Sequence, residues 1–273
     1  MKIAKVVLYC LLGGLPLAAA AMGTGGFGWC WLAGTVLAAA FVPVAIFGPK
    51  GVFRQFGVIA PLLLVTSVLC LWSEALILVP APEIQEHAVA NLIGESVIFG
   101  AIAAVLAILA AVLKLWRARG ENVELHSPGR LAAMVAVCAF AYVLYYLVFG
   151  AFTYKYFTAG YYPDAPKIVA RLGIWFWVIE VGRGVLMTLS MTPIIRTLRM
   201  SRMQTAIVLG LLMWVAGGLT PLLLPNTLMA PMQRLFHTVE IFTQNFPLGM
   251  TAVLLLRPKR AKSAAGMAAA ITA

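Results

Sequence analysis

Near the C-terminal end of the chain, the segment QRLFHTVEIFTQ places polar side chains at the head of a strongly apolar run. In an α-helix, Gln233, His237, Glu240 and Gln244 would fall within about 60° of one another, with apolar side chains on the opposite side. Imidazole and carboxyl groups can bind ligands and exchange protons. The pattern therefore predicts a polar stripe that binds substrate, with Arg234 as a candidate clamp for a phosphate or an oxyanion.

A second polar stripe begins an earlier apolar stretch. Glu83, His87, Asn91 and Glu95 are spaced four residues apart, so they follow one side of a helix. We expect Asn91 and Glu95, the deeper part of this stripe, to contribute to substrate binding. If the chain is an internal repeat, the two stripes would face each other or flank a shared space.

Charged residues also interrupt two other apolar stretches. Glu180 and Arg183 are three residues apart, a spacing at which side chains meet on a helix, and Glu74 lies within another stretch. An ionised side chain inside a bilayer costs a few kcal/mol, so each must face a partner or a wet cavity. We interpret all three as substrate-binding residues around a polar cavity, with a purely structural Glu180–Arg183 ion pair as the alternative.

The same side chains suggest catalysis or metal binding as further alternatives. Glu180, His237 and Glu240 are candidate catalytic acids or bases. His87, His237 and Glu240 are candidate zinc or copper ligands by type, but no H-E-x-x-H or equivalent spacing is present. Haem held between the two histidines has no supporting motif either. No cofactor is therefore predicted.

The aromatic and sulfur-containing residues are interpreted as structural. Tyr142, Tyr146 and Tyr162 belong to a group of tyrosines typical of a membrane–water interface, with Tyr145 or Tyr146 as an alternative cavity lining. The four cysteines lie singly in apolar stretches without metal-type spacing, which predicts small packing residues.

The elements that must position these groups follow from composition. Of 273 residues, 63% are hydrophobic and only 11% are charged, which predicts an all-α polytopic transmembrane bundle. A helix needs about 20 mostly apolar residues to cross the hydrocarbon layer, and eight stretches qualify. They cover 4–21, 27–47, 57–79, 93–114, 131–152, 173–195, 203–223 and 236–256. No soluble domain remains, so residues 1–273 are predicted to form one integral membrane domain.

Charge bias predicts the orientation of this bundle. With the N-terminus in the cytoplasm, 15 of the 20 basic residues fall on the cytoplasmic side, and both termini lie there. The net charge of +11 is thereby explained by topology, and nucleic acid binding is not predicted. We expect a bacterial inner membrane as the location. A cleaved signal peptide within residues 1–21 is the alternative interpretation of the first span.

A faint internal similarity indicates a tandem repeat of four helices. Residues 81–104 align without gaps on 230–253, so that Glu95 falls on Gln244 and Asn91 on Glu240. Pro43 and Pro193 match in a second pair of stretches. The halves would be 1–129 and 130–257, followed by a short cytoplasmic tail at 258–273. Apolar sequence also aligns by chance, so a bundle without a repeat stays an alternative.

Three functional classes remain open at this point. The leading hypothesis is binding or transport of a small ion or amphiphile from the outer face, coupled to protonation of a buried carboxyl. The second is a membrane enzyme that acts on a lipid or lipid-linked substrate with Glu and His as acid and base. The third is a sensor or assembly subunit. Expected partners are membrane lipids, the small ligand, and either a second copy or another membrane protein.

Overall fold

The computed structural model describes residues 3–22, 26–78, 85–117, 123–225 and 229–258. Within these ranges the chain is helical and has no strand. Eight helices are long and apolar enough to cross a membrane. We number them α1 (Ile3–Ala20), α2 (Phe27–Phe47), α3 (Val52–Ile77), α4 (Ala88–Val112), α5 (Pro128–Thr158), α6 (Ile174–Thr197), α7 (Arg202–Leu223) and α8 (Pro231–Leu256). A short helix, Ala165–Leu172, precedes α6.

These helices confirm the predicted all-α bundle of eight spans. The largest differences are at ends near the membrane interface: α3, α4 and α8 start five residues earlier than predicted, and α5 runs to Thr158. Such end turns mix polar and apolar residues, which lowers their hydropathy without disfavouring a helix. The predicted turn at 80–82 and Glu83 lie outside the described residues.

The helices pack in two groups of four. In the first, α1 contacts α2 and α4, and α3 contacts α4; in the second, α5 contacts α6 and α8, and α7 contacts α8. Helix α3 also contacts α6 and α7, and α2 contacts α7, which joins the groups. The α7–α8 crossing depends on small residues, because a Cβ on Gly249 would lie 2.7 Å from the Cα of Gly210.

Stretches of π-helix interrupt three spans. They are Leu64–Leu69 in α3, Tyr146–Gly150 and Tyr154–Thr158 in α5, and Val215–Leu219 in α7. A π-turn changes the helical register and is frequent at functional sites. Where α3 meets α7, the Ser67 hydroxyl donates to the Ala216 carbonyl at 2.8 Å, and Asn245 Nδ2 donates to the Met213 carbonyl at 3.3 Å. Backbone groups near the π-turn of α7 thus receive side-chain partners inside the bundle.

The two ends of the bundle differ in charge. At the end where α1 begins, which we call the basic end, arginines bind backbone carbonyls: Arg257 donates to Leu198 and Met200, and Arg202 donates to Leu254. Lys5 Nζ donates to the Leu113 carbonyl at 2.9 Å. The other end, which we call the acidic end, contains Glu74, Glu180 and Glu240. Basic side chains thus bind carbonyls at the helix ends of one side, and three carboxylates lie toward the other.

Candidate functional site

Arg183 joins two glutamates from different helices. Its Nη1 donates to both carboxylate oxygens of Glu180, each at 2.9 Å, one helical turn away on α6. Its Nη2 donates to Oε2 of Glu74 on α3 at 2.8 Å. Glu180 is 1% exposed and Arg183 is 7% exposed. The two charges therefore lie inside the bundle and compensate each other, as the insertion cost requires.

Two tyrosines of α5 surround this ion pair. The guanidinium carbon of Arg183 lies 5.8 Å from the centre of the Tyr142 ring and 5.9 Å from that of Tyr146. The Tyr142 hydroxyl also interacts with the Glu180 carboxylate. Aromatic faces attract cations, so both rings favour the charged guanidinium at this position. The Nε of Arg183 is buried without a hydrogen-bond partner among the described residues.

A second polar group lies on α8 and the loop before α6. His237 Nδ1 is 2.8 Å from Oε2 of Glu240, and His237 Nε2 is 3.2 Å from the Tyr162 hydroxyl. Gln244 Nε2 donates to Oε1 of Glu240 at 3.2 Å. Burial raises the pKa of the Tyr162 hydroxyl, so this group stays protonated at neutral pH. The imidazole therefore links a carboxylate to a protonated hydroxyl, an arrangement that can hold or pass a proton.

Space for this second group comes from a glycine in a π-helical stretch. A Cβ on Gly150 of α5 would lie 3.3 Å from Oε1 of Glu240 and 3.5 Å from Nε2 of Gln244. A Cβ at this position would crowd the Glu240 carboxylate and make ordinary van der Waals contact with the Gln244 amide. The π-turn Tyr146–Gly150 thus brings the backbone of α5 against the polar stripe of α8.

Glu74 connects the two groups electrostatically. Besides its bond to Arg183, its carboxylate interacts with His237 and with Glu240. The ring of Tyr146 lies among the same charges, since Glu74, Glu180, Arg183 and Glu240 all act on its hydroxyl. We call this set the acidic-end network. Its members are Glu74, Tyr142, Tyr146, Tyr162, Glu180, Arg183, His237, Glu240 and Gln244.

Other predicted site residues lie elsewhere. Glu95 accepts a hydrogen bond from Trp72 Nε1 at 2.7 Å, while Asn91 and His87 are exposed. Their helix, α4, packs mainly against α1, α2 and α3, whereas α8 packs mainly against α5, α6 and α7. The structure therefore does not bring the two polar stripes together. Arg234 Nη1 donates to the Leu224 carbonyl at 3.1 Å, where it supports the α7–α8 connection.

Three network residues were interpreted from sequence as an interfacial belt. Tyr142 and Tyr146 are four apart on α5, a spacing that places them on one face, but nothing in the sequence says that this face meets Arg183. Tyr162 lies in a loop, where helical periodicity gives no information. The alternative interpretation, in which Tyr145 or Tyr146 lines a polar cavity, is the one that agrees with the observed position of Tyr146.

Metal binding gains no support from the geometry. Among the described residues, no three His, Cys, Asp or Glu side chains are grouped so that they could hold a metal ion. Two shallow grooves, of about 510 and 450 Å³, lie far from the acidic-end network, beside Arg196 and Leu125 at the basic end. The second groove is lined by Glu124, His126, Ser127 and Arg196 among others, none of which belongs to the acidic-end network.

Within the described residues, the eight apolar helices and the absence of strands are compatible with an integral, multi-pass membrane protein. Comparison with protein families, curated proteins and solved structures finds no match to this chain.

Proposed function

We propose that this protein binds or transports a small ion or an amphiphilic molecule at the acidic-end network, and that a network carboxyl changes protonation as the ligand enters and leaves. The observation that carries the proposal is the bridge from Arg183 to both Glu180 and Glu74, set beside the His237–Glu240 pair. Charge inside a bilayer is expensive, and a connected set of ionisable groups there is typical of ion and proton pathways.

The chemistry of coupling follows from the hydrogen bonds. Arg183 stabilises the ionised forms of Glu74 and Glu180, and a proton that binds either carboxylate weakens its bond to the guanidinium. His237 can hold a proton between Glu240 and Tyr162. A ligand that takes the place of one of these protons would be exchanged for it, which is the basis of coupled transport.

Orientation and location complete the proposal. The basic end would face the cytoplasm, with both termini there, and the acidic end would open toward the periplasm from a bacterial inner membrane. The part of the cavity nearest the surface would lie at Glu74, whose side chain is 36% exposed. Membrane lipids would surround the bundle, and either a second copy or another membrane protein would be its partner. Nucleic acid has no role in this proposal.

A four-plus-four repeat also belongs to the proposal. The contacts of α1 to α4 with one another resemble those of α5 to α8, and α3 and α7 both contain a π-turn and meet each other. Pro43 and Pro193 lie at matching places near the ends of α2 and α6. An even number of helices in each unit places the symmetry axis along the membrane normal, as in some transporters.

Proton flux in liposomes tests the transport proposal. Purified protein is reconstituted with a pH-sensitive dye inside, and a pH step is applied with the wild type, Glu180→Gln and Glu95→Gln. Wild type and Glu95→Gln should conduct alike, because Glu95 lies outside the network, whereas Glu180→Gln should not conduct. Flux that is unchanged in Glu180→Gln would remove this glutamate from the mechanism.

A membrane enzyme is the second candidate, favoured by one contact. His237 lies between Glu240 and the Tyr162 hydroxyl, so a carboxylate orients an imidazole that could activate a hydroxyl. Turnover of a polar lipid extract in detergent should then be lost in His237→Ala at unchanged stability. If a partner subunit is the true ligand, Glu180→Gln and His237→Ala should instead both abolish co-purification of another membrane chain.

A further inference from the structure

The acidic-end network contains more carboxylates than cations. Glu74, Glu180 and Glu240 face one guanidinium, that of Arg183, and one imidazole, that of His237. With all three carboxyls ionised, at least one negative charge lacks a partner even when the imidazole is protonated. Because uncompensated charge is costly at this depth, the network needs one more positive charge, either a proton or a bound cation.

Arg183 is unsuited to binding an anion. Both Nη atoms of Arg183 already donate to carboxylates, and Nη1 of Arg234 donates to the carbonyl of Leu224. A phosphate or carboxylate ligand would have to displace Glu74 or Glu180 and add negative charge to a site that already has an excess. Arg183 therefore has no free pair of Nη donors for an anion, whereas the buried Nε of Arg234 has no hydrogen-bond partner among the described residues.

A cation has suitable contacts between the two polar groups. Glu74 gives one oxygen to Arg183 and is the most exposed carboxylate of the three, so its second oxygen is accessible. The Tyr146 ring, whose centre lies 5.9 Å from the guanidinium carbon of Arg183, is partly exposed. Carboxylates and aromatic faces both attract cations.

We infer that the ligand of the acidic-end network is a monovalent cation, bound against Glu74 and Glu240 beside Tyr146 in exchange for a proton. In this exchange a carboxyl O–H bond breaks, the proton leaves to water, and the cation takes its place, so the total charge of the site is unchanged. This inference rests on the proposed function and names its substrate class.

Other ionisable groups face the same space from each neighbouring helix. They are Cys70 of α3, Tyr142 of α5, Glu180 and Arg183 of α6, His237 of α8 and Tyr162 of the loop. We therefore assign the proton released on cation binding to the network as a whole. Substitution of Glu74 and Glu240 tests how much of the proton release depends on these two carboxyl groups.

Two probes of equal shape and opposite charge give the test. Tetraphenylphosphonium and tetraphenylborate are titrated into purified protein in weakly buffered detergent, with sodium, potassium and choline chlorides in parallel, while binding heat and proton release are recorded. We expect at least one of the cations to bind and thereby cause the protein to release a proton. Tetraphenylborate should cause no proton release. Glu74→Gln and Glu240→Gln should each lower the affinity for the cation by roughly tenfold or more, because each removes a carboxylate charge a few ångströms from the bound cation.

Glu95→Gln is the control, because it removes a carboxyl group outside the network, and it should bind the cation like the wild type. Thermal melting checks that each variant is folded. The inference is overturned if no cation releases a proton, if tetraphenylborate binds as tightly as the cations do, or if folded Glu74→Gln and Glu240→Gln bind like the wild type. If the cation inference fails in one of these ways, proton flux that depends on Glu180 would still support the proposed function. Cation binding without any proton flux in liposomes would instead refute transport, while it would still support the inferred cation site.

Discussion

Replacement of Arg183 by methionine should destabilise the protein strongly. The change keeps a long apolar side chain but removes three charge-assisted hydrogen bonds, of 2.9, 2.9 and 2.8 Å. It leaves Glu180, which is 1% exposed, as an unpaired buried carboxylate. Breaking a buried pair by removing one partner typically costs about 3–5 kcal/mol. We expect a loss of that size in the free energy of unfolding near neutral pH.

The second arm of this prediction is rescue by a second substitution. In Arg183→Met combined with Glu180→Gln the buried unpaired charge of Glu180 is absent, and only Glu74, whose side chain is 36% exposed, lacks its cation, so most of the lost stability should return. The free energy of unfolding of the double variant should exceed the value expected from adding the two single effects by about 2 kcal/mol or more. This difference lies within the range of coupling energies for residues in contact. Acidification should rescue the Arg183→Met single variant for the same reason, because protonation removes the unpaired charge.

Reversible unfolding in mixed micelles of mild detergent and sodium dodecyl sulfate measures all four proteins of this cycle. The matched control is Glu95→Gln, which removes a carboxylate charge outside the network. Stability of Arg183→Met within about 0.5 kcal/mol of the wild type would refute the reasoning, as would strict additivity of the two substitutions. Either result would mean that water or lipid headgroups reach Glu180 and compensate its charge.

Three further outcomes are expected. Gly249→Ala should cost about 1–3 kcal/mol in the same unfolding assay, because its Cβ would overlap α7, whereas Gly100→Ala should not destabilise, because a Cβ there meets nothing within 4 Å. Trp72→Phe should cost about 1.5–3 kcal/mol by removing the donor to a charged acceptor, without any change in proton flux; reduced flux would place Glu95 in the pathway. Tyr162→Phe should abolish lipid turnover if the protein is an enzyme, whereas a transporter should keep its flux and change only its pH profile.

Helix positions were predictable because the bilayer imposes one requirement on every span. A run of about 20 apolar residues is needed wherever the chain crosses, and this signal is strong in all eight spans. The ends were less predictable. Interfacial turns such as the first turns of α3 and α8 are helical for reasons of local hydrogen bonding, which mean hydropathy does not measure.

The candidate site was predictable where it depends on spacing within one helix. Glu180 with Arg183, and His237 with Glu240, are three residues apart, and both pairs form in the structure. Contacts between helices were not predictable. That Glu74 meets Arg183 depends on α3 packing against α6, and hydrophobic periodicity in a membrane helix does not say which neighbour each face has, because lipid and protein interiors are equally apolar.

The contact between Glu74 and Arg183 has a further consequence, because it crosses between the two groups of four helices. Deep in the bundle the groups also meet at the hydrogen bond from Ser67 to Ala216, which carries no charge. The ion pair at the acidic end is therefore the contact between α3 and α6 that responds to protonation: a proton on Glu74 removes the charge that Arg183 Nη2 binds. The ligand binding proposed at Glu74 and the packing of one group of helices against the other thus involve the same carboxylate.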